Sequence, residues 1–487
     1  MERTLEARTG YEAGLKDYVD REKAAVQILN AVGRSMYEKG VELVFFRNHL
    51  LDVTISEVIN LFDYAEKVVH KPIDIYASAE LAKALLELDL APSKIDIGRL
   101  TYEYLSTKPE PGSAGDFLGT TLSGFIGQDK HTFKPQDVVL YGFGRIGRIA
   151  ARELVKQAGK GQQLRLRAIV TRTNSDEEIV KRAALLRNDS VHGHFRGTVI
   201  EDLPNKALII NGQTVYMIAS PAPEDIDYTS FGIHDALVID NTGAFTKRSD
   251  LERHLKAKGA ARVILTAPGK EVPNIVYGIN HKDLDIETER LFSAASCTTN
   301  AICPILKVME DEVGIEKGHI ETVHAYTNDQ NLLDNFHKKP RRGRSAAINM
   351  VITSTGAGSA VTKAIPSLKD KLTANAVRVP TPNGSLAIMN LTLKRDVTRD
   401  QVNDLIRRAA LNGDLINQIH YHIDPELVSS DIIGDTCCSV FDSTATIVGP
   451  DGRNVVLYAW YDNEFGYTKQ VIRLAKHVAK VRRLIYY

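Results

Sequence analysis

Residues 138–147 read Val138-Val139-Leu140-Tyr141-Gly142-Phe143-Gly144-Arg145-Ile146-Gly147, a short apolar run that leads into the glycine pattern G-x-G-x-x-G. The spacing of apolar residues from Arg145 to Lys156 predicts that a helix follows. In such a strand–turn–helix unit, glycines allow a tight turn and a close approach of the backbone to a pyrophosphate at the helix N-terminus. The stretch therefore predicts a dinucleotide site formed by Gly142, Phe143, Gly144, Arg145, Ile146 and Gly147.

Similar strand-like runs recur at 164–170, 236–240 and 263–266, separated by helical segments, and predict an α/β protein with a Rossmann-type, doubly wound parallel sheet. Beyond Cys297 the runs at 387–394 and 455–461 are longer and alternating, which favours a second, α+β domain on a mixed or antiparallel sheet. The spacing from residue 19 to about 105 is helical, and proline and glycine are frequent after it. We predict a helical extension at 1–105, a linker at 106–135, a dinucleotide-binding domain at 136–296 and 468–487, and a catalytic domain at 297–467.

The composition excludes several classes of protein. The 487 residues include 61 Lys+Arg and 61 Asp+Glu, and 43% are hydrophobic, which is typical of folded multidomain chains and gives no overall attraction to nucleic acid. The apolar run 455–461 is far shorter than the ~18 residues of a membrane helix, and the charged first residues do not resemble a secretory signal. Four cysteines without metal-ligand spacing predict no disulfide scaffold and no metal site, and favour the cytoplasm.

The end of the second predicted strand lacks a residue that NAD sites usually have. An Asp or Glu there normally binds the ribose 2′-hydroxyl, but this chain has Thr171-Arg172, and its acids come only at residues 176–178. Thr171 and Arg172 are suited to a 2′-phosphate through charge-assisted hydrogen bonds. This pattern favours NADP, whereas the alternative is that Arg172 is a solvated loop cation.

Cys297 precedes an apolar periodicity that predicts a helix ending near Gly314, so the thiol lies at a helix N-terminus. The helix dipole lowers a thiol pKa by little more than about one unit, and a second group is needed to form the thiolate at neutral pH. His324, at the end of a strand-like run, is the candidate general base. From spacing alone, a buried cysteine and a core histidine remain the alternative.

Three further motifs carry a family resemblance. The segments Ser296-Cys297-Thr298-Thr299-Asn300, His324-Ala325-Tyr326-Thr327 and Trp460-Tyr461-Asp462-Asn463-Glu464-Phe465-Gly466-Tyr467 resemble glyceraldehyde-3-phosphate dehydrogenases. The resemblance runs from about residue 136 to 481 and includes Arg378-Val379-Pro380-Thr381. Residues 1 to about 130 lie outside it, although long bacterial members of this family carry such an extension.

The resemblance implies reversible, phosphorylating oxidation of glyceraldehyde 3-phosphate to 1,3-bisphosphoglycerate through a thiohemiacetal and a thioester on Cys297, with His324 as base. It assigns further cofactor contacts to Thr266, Asn463 and Tyr467. It also implies two phosphate sites, one with Thr327 and Arg378 and one with Ser296, Thr298, Thr355 and Gly356. The basic run 338–344 falls in a loop that lines the cofactor groove of a neighbouring subunit, so Arg342 is expected to bind phosphate rather than nucleic acid, and the assembly to be a homotetramer.

The chain departs from the family pattern in places that concern the cofactor. Besides Thr171-Arg172, it has Asn335-Phe336 where NAD-specific relatives usually have Leu-Pro. Both departures favour NADP, or dual use of NADP and NAD, and the biosynthetic direction. Gly384 replaces a valine after the phosphate arginine and is expected to loosen that turn.

Two other functions remain open at this point. Erythrose-4-phosphate dehydrogenases generally lose the Ser-Thr-Gly phosphate segment, whereas this chain keeps Ser354-Thr355-Gly356, which favours the triose. The extension also allows a regulatory or redox-sensing interaction protein on the same scaffold. The presence of both Cys297 and His324 argues against that alternative.

Overall fold

The structure is a computed structural model that describes residues 2–108, 110, 112–127 and 131–487, with side chains from residue 10 onward. The chain forms two compact units. The extension unit comprises Met1–Lys134, Gly159–Gln162 and Arg482–Tyr487, and the main unit comprises Pro135–Ala158 and Gln163–Val481. In the part of the chain that the structure describes, no helix combines the length and apolar character needed to cross a membrane.

The helices, numbered in chain order, are α1 (Glu2–Arg34), α2 (Ile55–Tyr64), α3 (Ile75–Leu85), α4 (Ile97–Ser106), α5 (Ala114–Thr121), α6 (Arg145–Lys156), α7 (Asp176–Arg187), α8 (Arg248–Lys256), α9 (Cys297–Glu312), α10 (Ala357–Ala364), α11 (Arg399–Leu411) and α12 (Phe465–Val478). The strands are β1 (Glu42–Phe45), β2 (Asn48–His49), β3 (Ser93–Asp96), β4 (Gln136–Tyr141), β5 (Leu164–Thr171), β6 (Asn188–Asp189), β7 (Gly193–His194), β8 (Val199–Asp202), β9 (Ala207–Ile210), β10 (Gln213–Ala219), β11 (Ala236–Asp240), β12 (Ala260–Leu265), β13 (Leu291–Ser293), β14 (Ile315–Ala325), β15 (Val351–Thr353), β16 (Leu372–Val379), β17 (Ser385–Leu393), β18 (Ile419–His422), β19 (Ser439–Asp442), β20 (Ile447–Val448), β21 (Asn454–Tyr461) and β22 (Leu484–Tyr486).

The first large sheet of the main unit has the order β13-β12-β11-β4-β5-β10-β9-β8. The strands from β13 to β10 run parallel, and β9 and β8 are added antiparallel. Every residue of the central strand β11 is buried, as expected for a parallel strand covered on both faces. The glycine turn after β4 therefore lies at the carboxyl edge of a Rossmann-type sheet, as predicted.

The second large sheet has the order β15-β16-β14-β17-β21-β19-β18. It is mixed, because β14 is parallel to β16 and antiparallel to β17, and β17 is antiparallel to β21. Buried residues alternate along β17, which is the pattern of a sheet with one face on the core. The predicted α/β protein with a mixed second sheet is confirmed, while the boundary predicted at Cys297 stays a prediction, since both sheets belong to one compact unit.

Helix α12 packs against α6, the helix that follows the glycine turn. Lys469 Nζ lies 2.7 Å from a carboxylate oxygen of Glu153, and both side chains are buried. Burial raises the pKa of Glu153, but Lys469 more than offsets it and holds that pKa below its usual value. Because removing either partner would leave an unpaired buried charge, this pair fixes α12 beside the dinucleotide helix.

The extension unit contains more than the predicted helices. Its sheet has the order β2-β1-β3-β22, in which β1, β3 and β22 are parallel, so the C-terminal strand joins a sheet built from the N-terminal segment. These strands are four residues or shorter, too short to show a period of two in the sequence. Within the predicted linker, α5 buries Leu118. Residues 484–486, which the sequence analysis assigns to the dinucleotide-binding domain, pair with β3 and belong to the extension unit.

Candidate active site

Cys297 is the first residue of α9. Ser296 caps this helix, since its hydroxyl accepts a hydrogen bond from the backbone N–H of Thr299 at 3.0 Å. The sulfur therefore lies beside the backbone N–H groups and the positive dipole end of a 16-residue helix. Such a position stabilises a thiolate and an oxyanion formed next to it.

His324 stands near the end of β14 and faces this sulfur. Its Nε2 atom lies 3.8 Å from Cys297 Sγ, and its Nδ1 atom lies 2.6 Å from the carbonyl oxygen of Ala325. A carbonyl can only accept, so the proton of a neutral ring is on Nδ1 and the Nε2 lone pair points to the thiol. The two side chains predicted as the catalytic pair are thus in direct contact, with the tautomer that a base requires.

The charges around the pair act in opposite directions. Burial raises the pKa of the Cys297 thiol, whereas the guanidinium of Arg378 lowers it. Burial and the same guanidinium lower the pKa of His324 to about 3, so the imidazole is neutral in the free protein. Arg378 is therefore the charged side chain that favours the thiolate and disfavours the imidazolium.

Asn463, predicted to contact the cofactor, extends this cluster. Its Nδ2 atom lies 3.2 Å from His324 Nε2 and 4.0 Å from Cys297 Sγ, and its Oδ1 accepts a hydrogen bond from the Ser385 hydroxyl at 2.8 Å. Ser385 in turn accepts from the backbone N–H of Ala325 at 3.0 Å. The amide of Asn463 is thereby oriented by the strand that carries His324.

Tyr461 is a buried residue of the site that the sequence analysis does not single out. Its hydroxyl lies 3.0 Å from Thr298 Oγ1 and 2.6 Å from Thr322 Oγ1, joining the first turn of α9 to β14. Its ring meets the ring of His324 edge to face at 6.0 Å. The signal was available, because Tyr461 lies within the quoted motif 460–467, but periodicity alone marks it only as a core aromatic.

The predicted phosphate ligands Thr327, Arg342 and Arg378 form a connected group. Arg378 donates to Thr327 Oγ1 at 3.2 Å, and Thr327 and Arg342 both donate to the carboxylate of Asp329. Although burial raises it, the pKa of Asp329 lies below its usual value because these two donors stabilise the carboxylate. Sequence reasoning missed Asp329, whose carboxylate links Thr327 to Arg342.

The second predicted phosphate group is only partly assembled. The hydroxyl of Thr298 is bound to Tyr461, and Thr355 Oγ1 accepts from the backbone N–H of Ala357 at the start of α10. Arg342 Nε donates to Thr353 Oγ1 at 3.1 Å, which brings the segment before Thr355 to the Arg342 group. Within the described residues, no hydrogen bond joins Thr355 or Gly356 to Cys297.

The glycine turn has the space that a dinucleotide requires. A Cβ atom on Gly147 would lie 2.4 Å from the carbonyl oxygen of Gly142, and Gly142 itself has a φ of +94°, so both positions depend on glycine. A Cβ atom on Gly144, the N-cap of α6, would meet nothing within 4 Å. These glycines thus leave an open cradle at a helix N-terminus, which suits a pyrophosphate.

The other predicted cofactor residues are held by contacts within the main unit. Arg145 forms a bidentate ion pair with Glu464, which also lies 2.9 Å from His192 Nε2. Thr266 follows β12 and donates to the carbonyl of Asp240, and the Tyr467 hydroxyl donates to the carbonyl of Ala295. Phe143 is buried and Ile146 half-buried.

The carboxyl end of β5 carries Thr171 and Arg172. Thr171 is buried and donates to the carbonyl of Thr173, while Arg172 is exposed and makes no hydrogen bond or ion pair among the described residues. The three following acids are engaged at the start of α7: Asp176 with Lys206, Glu177 with Lys181, and Glu178 in the capping box of Ser175. The cation at this strand end is therefore not neutralised by a carboxylate.

Comparisons with known proteins agree with this geometry. Residues 136–248 match the family model described as glyceraldehyde 3-phosphate dehydrogenase, NAD binding domain, and residues 296–463 match its C-terminal domain. A glyceraldehyde-3-phosphate dehydrogenase of Clostridium pasteurianum is 40% identical over 71% of this chain and 99% of its own. Glyceraldehyde-3-phosphate dehydrogenase 1 of Bacillus subtilis (strain 168) is 41% identical over 70% and 98%, respectively.

One relative also matches part of the extension. The glyceraldehyde-3-phosphate dehydrogenase-like protein of Pseudomonas aeruginosa (strain UCBPP-PA14) is 50% identical over 421 residues, which is 86% of this chain and 89% of the relative. An alignment of 421 residues is longer than the stretch from Gln136 to Tyr487. The similarity therefore includes part of the segment before the dinucleotide-binding region.

The role of Arg378 in the charge balance can be measured without substrate. Replacing the guanidinium in Arg378→Gln removes a positive charge that lowers the pKa of Cys297, so we expect the pH of half-maximal alkylation to rise by about one unit. The measurement is the rate of iodoacetamide modification of Cys297 against pH, followed by peptide mass spectrometry. As a control, Arg395→Gln, on an exposed loop, is expected to leave the pH dependence of alkylation unchanged. A pH dependence that does not shift in Arg378→Gln would contradict the electrostatic role of Arg378.

Proposed function

Because the chain belongs to the glyceraldehyde-3-phosphate dehydrogenase family, we propose that it catalyses the phosphorylating, reversible oxidation of glyceraldehyde 3-phosphate. The observation that carries the proposal is the contact of 3.8 Å between Cys297 Sγ and an unprotonated His324 Nε2. A thiol at a helix N-terminus beside a base of the correct tautomer is the arrangement of an activated nucleophile. The matched family models are the second support.

In the first step, Cys297 Sγ attacks the aldehyde carbon while His324 Nε2 accepts the thiol proton. The new carbon–sulfur bond gives a thiohemiacetal, and the carbonyl electron pair moves to oxygen. Backbone N–H groups at the start of α9 lie where they stabilise that oxyanion. The neutral imidazole favoured by burial is the form needed to take a proton.

Oxidation of the thiohemiacetal carbon requires a hydride acceptor, and a bound nicotinamide dinucleotide would supply it. Gly142, Gly144 and Gly147 are the residues suited to hold its pyrophosphate, and Asn463 to orient its carboxamide. Before this oxidation, the His324 imidazolium returns the thiol proton to the oxyanion, which becomes the hydroxyl group of the thiohemiacetal. His324 Nε2 then accepts that hydroxyl proton as the hydride leaves, and a thioester remains on Cys297. Inorganic phosphate then attacks the thioester carbon and displaces the Cys297 thiolate, yielding the acyl phosphate.

The two phosphate groups of this reaction require separate anion sites. For the substrate phosphate we propose Thr327 and Arg378, which lie within 3.2 Å of one another beside the catalytic pair. For inorganic phosphate we propose Ser296, Thr298, Thr355 and Gly356, with Arg342 between the groups. Guanidinium and hydroxyl donors match the acceptor oxygens of phosphate.

For the cofactor we propose NADP, or dual use of NADP and NAD. The support is the exposed, unneutralised Arg172 at the end of β5, together with the engagement of residues 176–178 at the start of α7. A guanidinium there favours a 2′-phosphate over a 2′-hydroxyl. The reductive, biosynthetic direction is the corresponding role.

We further propose a homotetramer in the cytoplasm. The segment between Asn331 and Thr353 exposes Leu332, Leu333, Phe336, Ile348, Met350 and Ile352, an apolar set of the kind that protein interfaces cover. All four cysteines are free thiols, which suits a reducing compartment.

The activity is tested by kcat/KM for glyceraldehyde 3-phosphate at saturating phosphate and cofactor. We expect Cys297→Ser to abolish turnover, because it removes the nucleophile, and His324→Asn to lower kcat by about 10²–10⁴-fold, because it removes the base. Cys437→Ser, at a cysteine outside the site, is the matched control. Turnover in Cys297→Ser equal to that of the unmodified chain would refute the assignment.

The same assay decides between the two aldehydes. Because the chain keeps Ser354-Thr355-Gly356, we expect glyceraldehyde 3-phosphate to exceed erythrose 4-phosphate in kcat/KM. A preference for the tetrose would overturn the substrate assignment. Absence of turnover with either aldehyde would favour the sensor or interaction protein instead.

The cofactor proposal has its own variant. With one charge-assisted contact to the 2′-phosphate, we expect kcat/KM for NADP to exceed that for NAD by about tenfold, and Arg172→Ala to remove the difference. Arg395→Ala, exposed in the same unit, is expected to keep it. If NAD is preferred by the unmodified chain, Arg172 is a solvated loop cation and the proposal fails.

A further inference from the structure

The extension unit contains a cavity of about 260 Å³ whose lining residues are separate from those of the candidate active site. The lining residues come from four stretches of this unit, and they are Lys39, Pro92, His131, Thr132, Phe133, Lys160 and Gln162. None of them belongs to the candidate active site. The volume is slightly below the roughly 300–1,000 Å³ of pockets for drug-sized ligands, so the cavity suits a small metabolite.

Glycines are required at several backbone positions around the cavity, because they have positive φ values or lie close to other side chains. Gly40, which follows Lys39, has a φ of +73°, and a Cβ atom there would lie 2.2 Å from Gln162 Oε1. Gly159 and Gly161 flank Lys160 with φ values of +51° and +70°, and Gly159 lies close to Met36. Both lysines therefore lie next to glycines in the left-handed conformation, and the turns at those glycines determine where the lysines are placed.

The two lysines bring positive charge that the described lining residues do not neutralise. Lys39 Nζ donates to the carbonyl oxygens of Leu86 and Leu88, and Lys160 Nζ donates to the carbonyl oxygen of Glu38 at 2.7 Å. Among the described residues, no carboxylate lines the cavity, and the Glu38 carboxylate is bound to Arg34. Two lysines thus line one cavity to which the described residues supply no counter-ion.

Both ammonium groups keep donors for a ligand. An ammonium has three N–H groups, so the contacts above leave one on Lys39 and two on Lys160. His131 also lines the cavity, and its Nε2 atom donates a hydrogen bond to the carbonyl oxygen of Arg482 at 2.9 Å. Lysine is a common phosphate ligand because it combines a compact charge with several N–H donors.

We propose that this cavity binds a small phosphate-bearing anion. Lys39 and Lys160 contact the phosphate oxygens of this ligand. Gln162 and Thr132 form hydrogen bonds with its hydroxyl groups, and Pro92 and Phe133 pack against its carbon atoms. The mixture of cations, neutral donors and apolar surface is that of a site for a phosphorylated metabolite rather than for a free ion alone. The extension unit is thereby a ligand-binding module in the same chain as the proposed dehydrogenase.

The test uses the full chain carrying Arg378→Gln, which weakens phosphate binding at the candidate active site. Isothermal titration calorimetry is performed with glycerol 3-phosphate and, separately, with inorganic phosphate. We expect glycerol 3-phosphate to bind one site per chain, and Lys160→Gln to weaken that binding about tenfold. Adding Lys39→Gln weakens it further, whereas the control Lys16→Gln/Lys83→Gln, at two exposed lysines of the same unit, leaves it unchanged.

Lys160 is exposed, so Lys160→Gln tests the site even if loss of the Lys39 contacts disturbs folding. Binding of either probe that depends on Lys160 supports a phosphate site, and equal affinities identify inorganic phosphate as a sufficient ligand. Absence of binding, or affinity unchanged by Lys160→Gln, would overturn the proposal and leave the lysines as caps of backbone carbonyls. Neither result depends on dehydrogenase turnover, so failure here is distinct from failure of the proposed function.

Discussion

The hydrogen bond from His324 Nδ1 to the carbonyl oxygen of Ala325 is the constraint on which the site depends. It fixes the proton on the nitrogen that faces the backbone and leaves the Nε2 lone pair for the sulfur of Cys297. The surrounding contacts maintain this arrangement, because Ser385 binds both the Ala325 backbone and the amide of Asn463. The chemistry thus rests on the end of one strand and the start of one helix, each in the same compact unit.

Much of this arrangement could be predicted from the sequence. The glycine pattern predicts the turn after β4, because Gly142 and Gly147 have no room for a side chain. The apolar spacing after Cys297 predicts the helix that the structure shows there. The contact between Cys297 and His324 is expected only from the family motifs, because the sequence of the 26 residues between them does not indicate how far apart the two side chains lie in the folded chain. Asp329 escaped prediction for the same reason, as an acid in a loop is usually solvated.

The extension shows where sequence patterns stop being informative. Its helices were predicted, but β1 and β3 have four residues each, and a period of two is not visible in so few positions. The pairing of β22 with β3 joins segments from opposite ends of the chain, which local propensity cannot encode. Likewise Lys39 and Lys160 are unremarkable as sequence, and only the fold brings them to one cavity.

The central claim is that Cys297 becomes acylated with the assistance of His324. It is tested most directly by mixing enzyme with glyceraldehyde 3-phosphate and NADP in the absence of phosphate, followed by intact-mass and peptide mass spectrometry. The account predicts one acyl adduct per chain, on Cys297, with one equivalent of reduced cofactor and much slower formation in His324→Asn. No adduct, or an adduct on Cys303, Cys437 or Cys438, would contradict it.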